Sequence, residues 1–173
     1  MGSASGEFMT ETAAGYRAKS FEELVGNYEN TLYRTALAMM KNQADAEDAV
    51  QEVFLKVLSK WPEFTSDEHE KAWLLRVLIN ICKNKLRSVW FRRTVPLLET
   101  LPAEDPEQES LIVQVMALPE KYRTVIHLYY YEGYSTREIA EITDQRETTV
   151  RSLMSRGREK LKEVLKEEEA EFR

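Results

Sequence analysis

Between Thr94 and Ser110 the chain carries Pro96, Pro102 and Pro106 among Glu99, Glu104, Asp105, Glu107 and Glu109, with no Lys or Arg. Three prolines remove backbone donors and forbid a continuous helix, while like charges keep such a segment extended and solvated. A structureless loop of this length inside one compact domain is uncommon. The segment 94–110 therefore reads as a linker that divides the chain into two short globular units. Elsewhere prolines and glycines are sparse, so the flanking stretches are free to be helical, and the fold expected is all-α.

The hydrophobic periodicity supports that reading. Phe21, Leu24, Val25, Tyr28, Leu32, Leu37 and Met40 predict a first helix over 21–41. A second is expected to open with Asp45 as its N-cap, with Glu47 and Asp48 in its first turn, and to end near Trp61 before Pro62. A third opens at Asp67, with Glu70 three residues on, and continues to about Phe91. After the linker, Asp105-Pro106 predicts a cap and a helix to about Ala117, and Pro119 starts another that ends at Gly133. Ser135 and Glu138 form an S-x-x-E capping box for a short helix to Thr143. A last helix runs from Glu147 to about Glu168. A short helix, a tight polar turn and a longer basic helix make a helix-turn-helix outline. Met1 to Phe8 (MGSASGEF) reads as an expression scar, Met9 as the native start, and 9–20 as a flexible N-terminus.

Hydrophobic residues make up 43% of the chain and charged residues 31%, a mixture that can bury a core. The net charge of -6 speaks against a nucleic-acid partner until its distribution is considered. From Lys71 to Arg93 there are seven basic residues and no acid, and from Arg146 to Lys162 six basic residues face only Glu147 and Glu159. Two basic islands in an acidic chain suit a polyanion, with the acidic surfaces left for a protein partner or for solubility. Cys82 is the only cysteine, and with two histidines there is no credible zinc set, so no metal or cofactor is expected. No acid–base or nucleophilic constellation marks an enzyme. No apolar run is long enough to span a bilayer, so a cytoplasmic protein without membrane insertion is expected.

Three faces carry the functional signal. On the second helix Ala46, Val50, Val53, Phe54, Val57, Leu58 and Trp61 form a core stripe. The opposite face holds Asp48, Gln51, Glu52 and Leu55, which suits docking against a basic partner helix, although a solvated charged face looks similar. The third helix is apolar nearly all round except for Arg76, Asn80, Lys83, Asn84 and Arg87. Cations alternating with amides offer charge to phosphates and hydrogen bonds to base edges, and Trp90 and Phe91 followed by Arg92 and Arg93 add stacking surfaces. A basic solvent face on a core helix is the plainer reading. On the last helix Val150, Leu153, Met154, Leu161, Val164 and Leu165 face inward, and Gly157 permits close approach to a neighbour. Arg146, Thr148, Thr149, Arg151, Ser152 and Ser155 stand where a recognition helix presents residues to bases, with Arg156, Arg158 and Lys162 set to grip phosphates. A charge-laced packing helix is the alternative.

The motif Ala44-Asp45-Ala46-Glu47-Asp48-Ala49-Val50-Gln51-Glu52-Val53-Phe54-Leu55 closely resembles the D-A-E-D-x-x-Q-E-x-F segment of extracytoplasmic-function sigma factors of the sigma-70 family. Trp73-Leu74-Leu75-Arg76-Val77 with Asn80, Asn84 and Arg87 is similar to their next helix. Leu118-Pro119-Glu120-Lys121-Tyr122-Arg123, Glu138-Ile139-Ala140, Thr149-Val150-Arg151-Ser152 and Arg156-Gly157-Arg158-Glu159-Lys160-Leu161 are similar to their C-terminal domain.

The resemblance implies a sigma-two domain at 21–93, the linker at 94–110, a sigma-four helix-turn-helix domain (winged-helix-like) at 111–168 and a tail at 169–173. It implies an RNA polymerase subunit that directs promoter-specific initiation. Asp48, Gln51, Glu52 and Leu55 would dock on the clamp coiled coil of the largest polymerase subunit, with a further contact at the flap region. Phe64 to Glu70 would capture a flipped base. Phe64, Asp67, Arg76, Asn80, Lys83, Asn84, Arg87, Arg92 and Arg93 would hold the single-stranded minus-ten element. Arg146, Thr148, Thr149, Arg151, Ser152, Ser155, Arg156 and Arg158 would read the duplex minus-thirty-five element. An anti-sigma factor that masks both DNA surfaces is a further implied partner, and the linker is implied to thread near the polymerase active-site channel.

The chain departs from the family pattern at one place. Thr143, Gln145 and Thr148 stand where relatives usually carry leucine, an aliphatic residue and glycine, so the turn before the recognition helix need not keep their shape. A helix-turn-helix regulator that does not bind core polymerase would explain the C-terminal half but not the acidic helix, and a purely structural helical adaptor is the remaining class.

Overall fold

The computed structural model describes residues 19–88 and 113–171, apart from the side chains of residues 168 and 169. Among the described residues there are helices and no strands: α1 Phe21–Met40, α2 Gln43–Lys60, α3 Asp67–Arg87, α4 Glu120–Ile126, α5 Thr136–Thr143 and α6 Glu147–Glu171. Residues 113–117 are helical ahead of α4, and His127–Tyr131 extend α4 as a π turn. Its wider winding is fixed by the Glu132 amide, which donates to the His127 carbonyl at 3.2 Å.

Local chemistry sets the boundaries. Ser20 caps α1 with both halves of a capping box, its hydroxyl accepting from the Glu23 amide and the Glu23 carboxylate accepting from the Ser20 amide. Lys19 bridges to Asp67 and to the buried Glu70. Lys19 and Ser20 are thus part of the fold rather than of the flexible N-terminus expected over 9–20. Helix α2 starts earlier than the sequence predicts, because Asn42, not Asp45, is the N-cap and accepts from the Asp45 amide at 3.0 Å. Ser66 caps α3 through the His69 amide, which frees Glu70 to turn inward as the buried partner of Lys19. Helix α3 ends at Arg87, short of Phe91. The linker, Trp90, Phe91, Arg92, Arg93 and the Asp105-Pro106 helix start lie outside the described residues.

Helices α1, α2 and α3 pack on one another, and α4, α5 and α6 form a second unit. The buried apolar side chains of the two units run together into one core cluster, from Leu24 and Leu37 through Leu78 and Ile79 to Leu128, Ile142 and Met154. Polar contacts tie the same seam. Arg123 of α4 donates to the carbonyls of Ala38 and Met39 in α1, and Thr35 of α1 lies 3.1 Å from Nε2 of His127. Lys71 of α3 pairs with Glu132 at 3.2 Å. The core stripe expected on α2 is narrower than read. Val53, Phe54 and Val57 are buried, but Leu58 is 53% exposed, and Trp61, its ring 6.3 Å from that of Phe21, is 41% exposed, because the cover on the last turn reaches Val57 and only one side of Trp61.

Candidate polymerase and DNA surfaces

The outer face of α2 presents Asp48, Gln51 and Leu55 to solvent, with Glu52 half-buried beside them. Leu55 is 64% exposed, and Leu58 one turn on extends the same apolar line. Leu58 was missed as a surface residue because its spacing also fits the inward stripe. The acids of this face are not bare. Lys85 of α3 donates to Asp48 at 2.6 Å and lies 3.5 Å from Glu52, and these partners, Asp48 foremost, raise its ammonium above the ordinary lysine value. A leucine ridge flanked by partly neutralised carboxylates is a shape for a partner helix rather than for a small ligand.

On α3 the predicted stripe is real, but its members are not equally free. Asn80, Asn84 and Arg87 are exposed. Lys83 instead reaches across the seam and donates to the Thr143 carbonyl at 3.0 Å, and burial pulls its ammonium below the ordinary value. Arg76 lies 3.8 Å from Asp144. Before α3, Phe64 packs edge-on against His69 and Trp73, each at 5.6 Å, which holds the connection after α2 in a fixed shape. Lys19, Leu24, Trp61, Pro62, Phe64 and Glu70 line a hollow under that connection. Asp67 stands at its edge in an ion pair with Lys19, so its carboxylate already has a partner.

The C-terminal unit forms a helix-turn-helix. Ser135 and Glu138 cap α5 reciprocally, as the sequence predicts. Asp144 then takes the left-handed conformation at φ 54° and reverses the chain into α6. The turn residues that depart from the family pattern satisfy one another: the buried Thr143 hydroxyl lies 2.7 Å from the Ile139 carbonyl and 3.2 Å from Oε1 of Gln145. Glu147 accepts from Thr136 at 3.0 Å and from Arg151 at 2.8 Å, joining the two helices of the motif and holding its carboxyl below the usual range. Arg146, just before α6, and Thr148, Thr149, Arg151, Ser152, Ser155, Arg156 and Arg158 on it are all exposed, while Val150, Met154 and Gly157 face inward. Arg158 differs from the rest. Its guanidinium stacks on Tyr129 and Tyr130 and donates to the Tyr130 hydroxyl at 2.9 Å.

Residues 24–92 match the family model described as sigma-70 region 2, and residues 108–161 match the one described as sigma-70, region 4. The sigma-E factor of Haemophilus influenzae, an extracytoplasmic-function RNA polymerase sigma factor, is 32% identical over 164 residues, covering 82% of this chain and 85% of its own. The chain belongs to the extracytoplasmic-function sigma factors. Sigma factor SigM of Mycobacterium tuberculosis is 29% identical over 164 residues, 92% of this chain and 83% of its own. Among solved structures, the sigma factor RpoE of Bartonella quintana, in complex with the anti-sigma factor NepR, is similar with a TM-score of 0.67 at 26% identity. That match covers 86% of this chain and 98% of the other. The chain is accordingly an RNA polymerase sigma factor for promoter-specific transcription, a class of non-enzymatic initiation factors. No described helix is long and apolar enough to cross a membrane.

Proposed function

We propose that this sigma factor works through three separate surfaces, by binding alone and in the cytoplasm. Asp48, Gln51, Glu52 and Leu55 dock on the clamp coiled coil of core polymerase, with Leu58 extending the contact. Phe64, Asp67, Arg76, Asn80, Lys83, Asn84 and Arg87, continued by Arg92 and Arg93, hold the melted minus-ten strand. Arg146, Thr148, Thr149, Arg151, Ser152, Ser155, Arg156 and Arg158 read the minus-thirty-five duplex. Residues 21–93 and 111–168 are the two functional units, and 94–110 is the tether that lets them meet two promoter elements at once.

The observation that carries this reading is the split of α3 and α6. Each turns most of its apolar residues toward the shared core and leaves amides, hydroxyls and cations facing outward, apart from the two α3 cations engaged at the seam. An anti-sigma partner is supported by the Bartonella quintana sigma factor, which is held in such a complex.

Transcription in vitro with core polymerase tests the scheme. Leu55→Asp should abolish promoter-specific initiation while leaving duplex binding intact. Arg151→Ala with Ser152→Ala should lose selectivity for the upstream element while core binding persists. Duplex binding without promoter-specific initiation on any template would instead favour a regulator that does not act as a polymerase subunit.

A further inference from the structure

Arg158 ends the row of α6 assigned to the duplex, on the same helix face as Arg151 and Ser155, seven and three residues before it. Arg151 is tied to Glu147 by an ion pair. Arg158 has no carboxylate partner among the described residues and is held instead by uncharged groups of the π turn that ends α4. Its guanidinium carbon lies 5.7 Å from the ring centroids of both Tyr129 and Tyr130, and those rings meet edge to face at 5.0 Å. Its Nε donates to the Tyr130 hydroxyl at 2.9 Å. Two successive tyrosines of the π turn thus reach one guanidinium, at the kind of irregular winding that often marks a functional site.

The arrangement sits at the surface. Tyr130 is 57% exposed and Tyr129 37%, and a cation stacked on exposed rings adds little to folding. Its chemistry suits an anion better than a core. With Nε engaged, the donors on the two Nη nitrogens have no acceptor among the described residues, and no neighbouring carboxylate neutralises their charge. A planar fork of that kind matches the oxygens of a phosphate.

We propose that Tyr129 and Tyr130 hold Arg158 as a preassembled clamp for one backbone phosphate of the duplex, with Tyr130 the positioning residue. The proposal rests on the assignment of α6 to that duplex. A recognition helix presents its N-terminal half to the bases, and Arg158 stands roughly 10 Å farther along the axis than Arg151, where the helix leaves the groove past the backbone. A free arginine loses much rotamer freedom when it grips a phosphate. The two rings and the hydroxyl remove that freedom beforehand, which raises affinity without adding charge. A contact of this kind fixes register on the duplex and carries no sequence information.

The test is a double-mutant cycle on the full chain, with a labelled pool of duplexes of mixed sequence bound at several salt concentrations and followed by anisotropy. Tyr130→Phe keeps the ring and removes the hydroxyl. It should weaken binding about threefold to tenfold, the range of one hydrogen bond, and leave the salt dependence unchanged. Arg158→Ala should reduce the slope of log affinity against log salt by about 0.9, the contribution of one phosphate. Arg158→Lys should restore the slope but not the affinity. In the Arg158→Ala background Tyr130→Phe should have no further effect. Unchanged binding by Tyr130→Phe, or an equal loss in both backgrounds, overturns the clamp. So does a lower melting temperature of Tyr130→Phe without weaker binding, which would make the stack a structural brace. Arg156→Ala, on α6 but away from these tyrosine contacts, separates the two readings. If it lowers the salt slope and Arg158→Ala does not, the clamp falls and the duplex assignment stands. If neither lowers the slope, both fall.

Discussion

Arg123 donates from Nη2 to the carbonyl of Met39 at 2.9 Å and from Nε to the carbonyl of Ala38 at 2.7 Å. Those carbonyls belong to the last turn of α1, where a helix leaves acceptors unpaired and where α1 has no basic residue of its own. The Lys41 amide satisfies Leu37, and the guanidinium supplied by α4 satisfies the next two. A third bond runs from Nη1 of Arg123 to the Leu118 carbonyl at 2.5 Å. One side chain thus caps a helix of the N-terminal unit and braces the start of the C-terminal one.

Truncating it should expose the cost. Arg123→Ala leaves three buried carbonyls without their donor, and with charged hydrogen bonds worth roughly 1.5–3 kcal/mol each and partial rescue by water, a loss of about 2–4 kcal/mol is expected. Urea denaturation would read it as a lower midpoint. The tryptophan signal, which comes from Trp61, Trp73 and Trp90 in the N-terminal half, and the tyrosine signal, to which the C-terminal unit contributes five of the eight tyrosines, should also separate into two transitions. An unchanged midpoint with coincident transitions would show that the guanidinium is not what joins the halves.

Acid should weaken the same seam through Glu132. Burial raises its carboxyl, but the approach of His127 on its own segment at 3.4 Å and of the Lys71 ammonium on α3 at 3.2 Å outweighs that, so its value lies below the ordinary 4.5. A depressed carboxylate contributes stability that is fully present above its unfolded value and is lost as pH falls through the folded one. The melting temperature of wild type should therefore fall on the acid side of that range. Glu132→Gln should start lower at neutral pH and show a shallower acid decline. Parallel declines in the two proteins would assign the acid sensitivity to other carboxylates.

How much of this was legible beforehand depended on the range of the interaction. The Ser135–Glu138 box, the inward line of α6 from Val150 to Leu161 and the exposed amides of α3 follow from spacing alone, because each is decided within a few residues, whereas Leu165, expected on the same inward line, is 38% exposed. The N-cap of α2 was misplaced because Asn42 and Asp45 are both competent caps, and the choice is made by where the chain leaves α1 at the left-handed Lys41. Leu58 and Trp61 fit the period of a buried stripe, but periodicity does not say how wide a stripe the neighbouring helices cover. Arg123, Thr35, His127 and Lys83 gave no local sign of their roles. Their partners lie 60 to 92 residues away, and a buried arginine looks like any surface arginine until the helix end it caps is known.

Cys82 offers a simple check on the core. The thiol is fully buried among α3 and its neighbours, and burial pushes it up to about 12. Since only the thiolate reacts, the native protein should resist alkylation at neutral pH and be labelled fully in denaturant. Rapid labelling of the folded chain would mean that α3 separates from its neighbours far more often than its packing implies.

Gly157 lies where α6 crosses α4. A Cβ built there would sit 3.0 Å from Cδ1 of Ile126 and 3.3 Å from Cβ of Tyr122, both buried. Replacing glycine within a helix normally gains up to about 1 kcal/mol of helix propensity, a gain that a small side chain could realise only if Ile126 rotated aside. A branched residue has no such escape, because the Tyr122 Cβ is fixed to its backbone and the ring is packed. Gly157→Val should therefore destabilise the protein by about 1–3 kcal/mol, as overpacked cores do. The helix crossing would widen and Tyr122 would shift, visible as changed near-ultraviolet circular dichroism. Since α6 carries the exposed row from Thr148 to Arg158, the same variant should weaken duplex binding without touching a residue of that row. A variant of unchanged stability would mean that α4 and α6 do not approach as closely as the glycine permits.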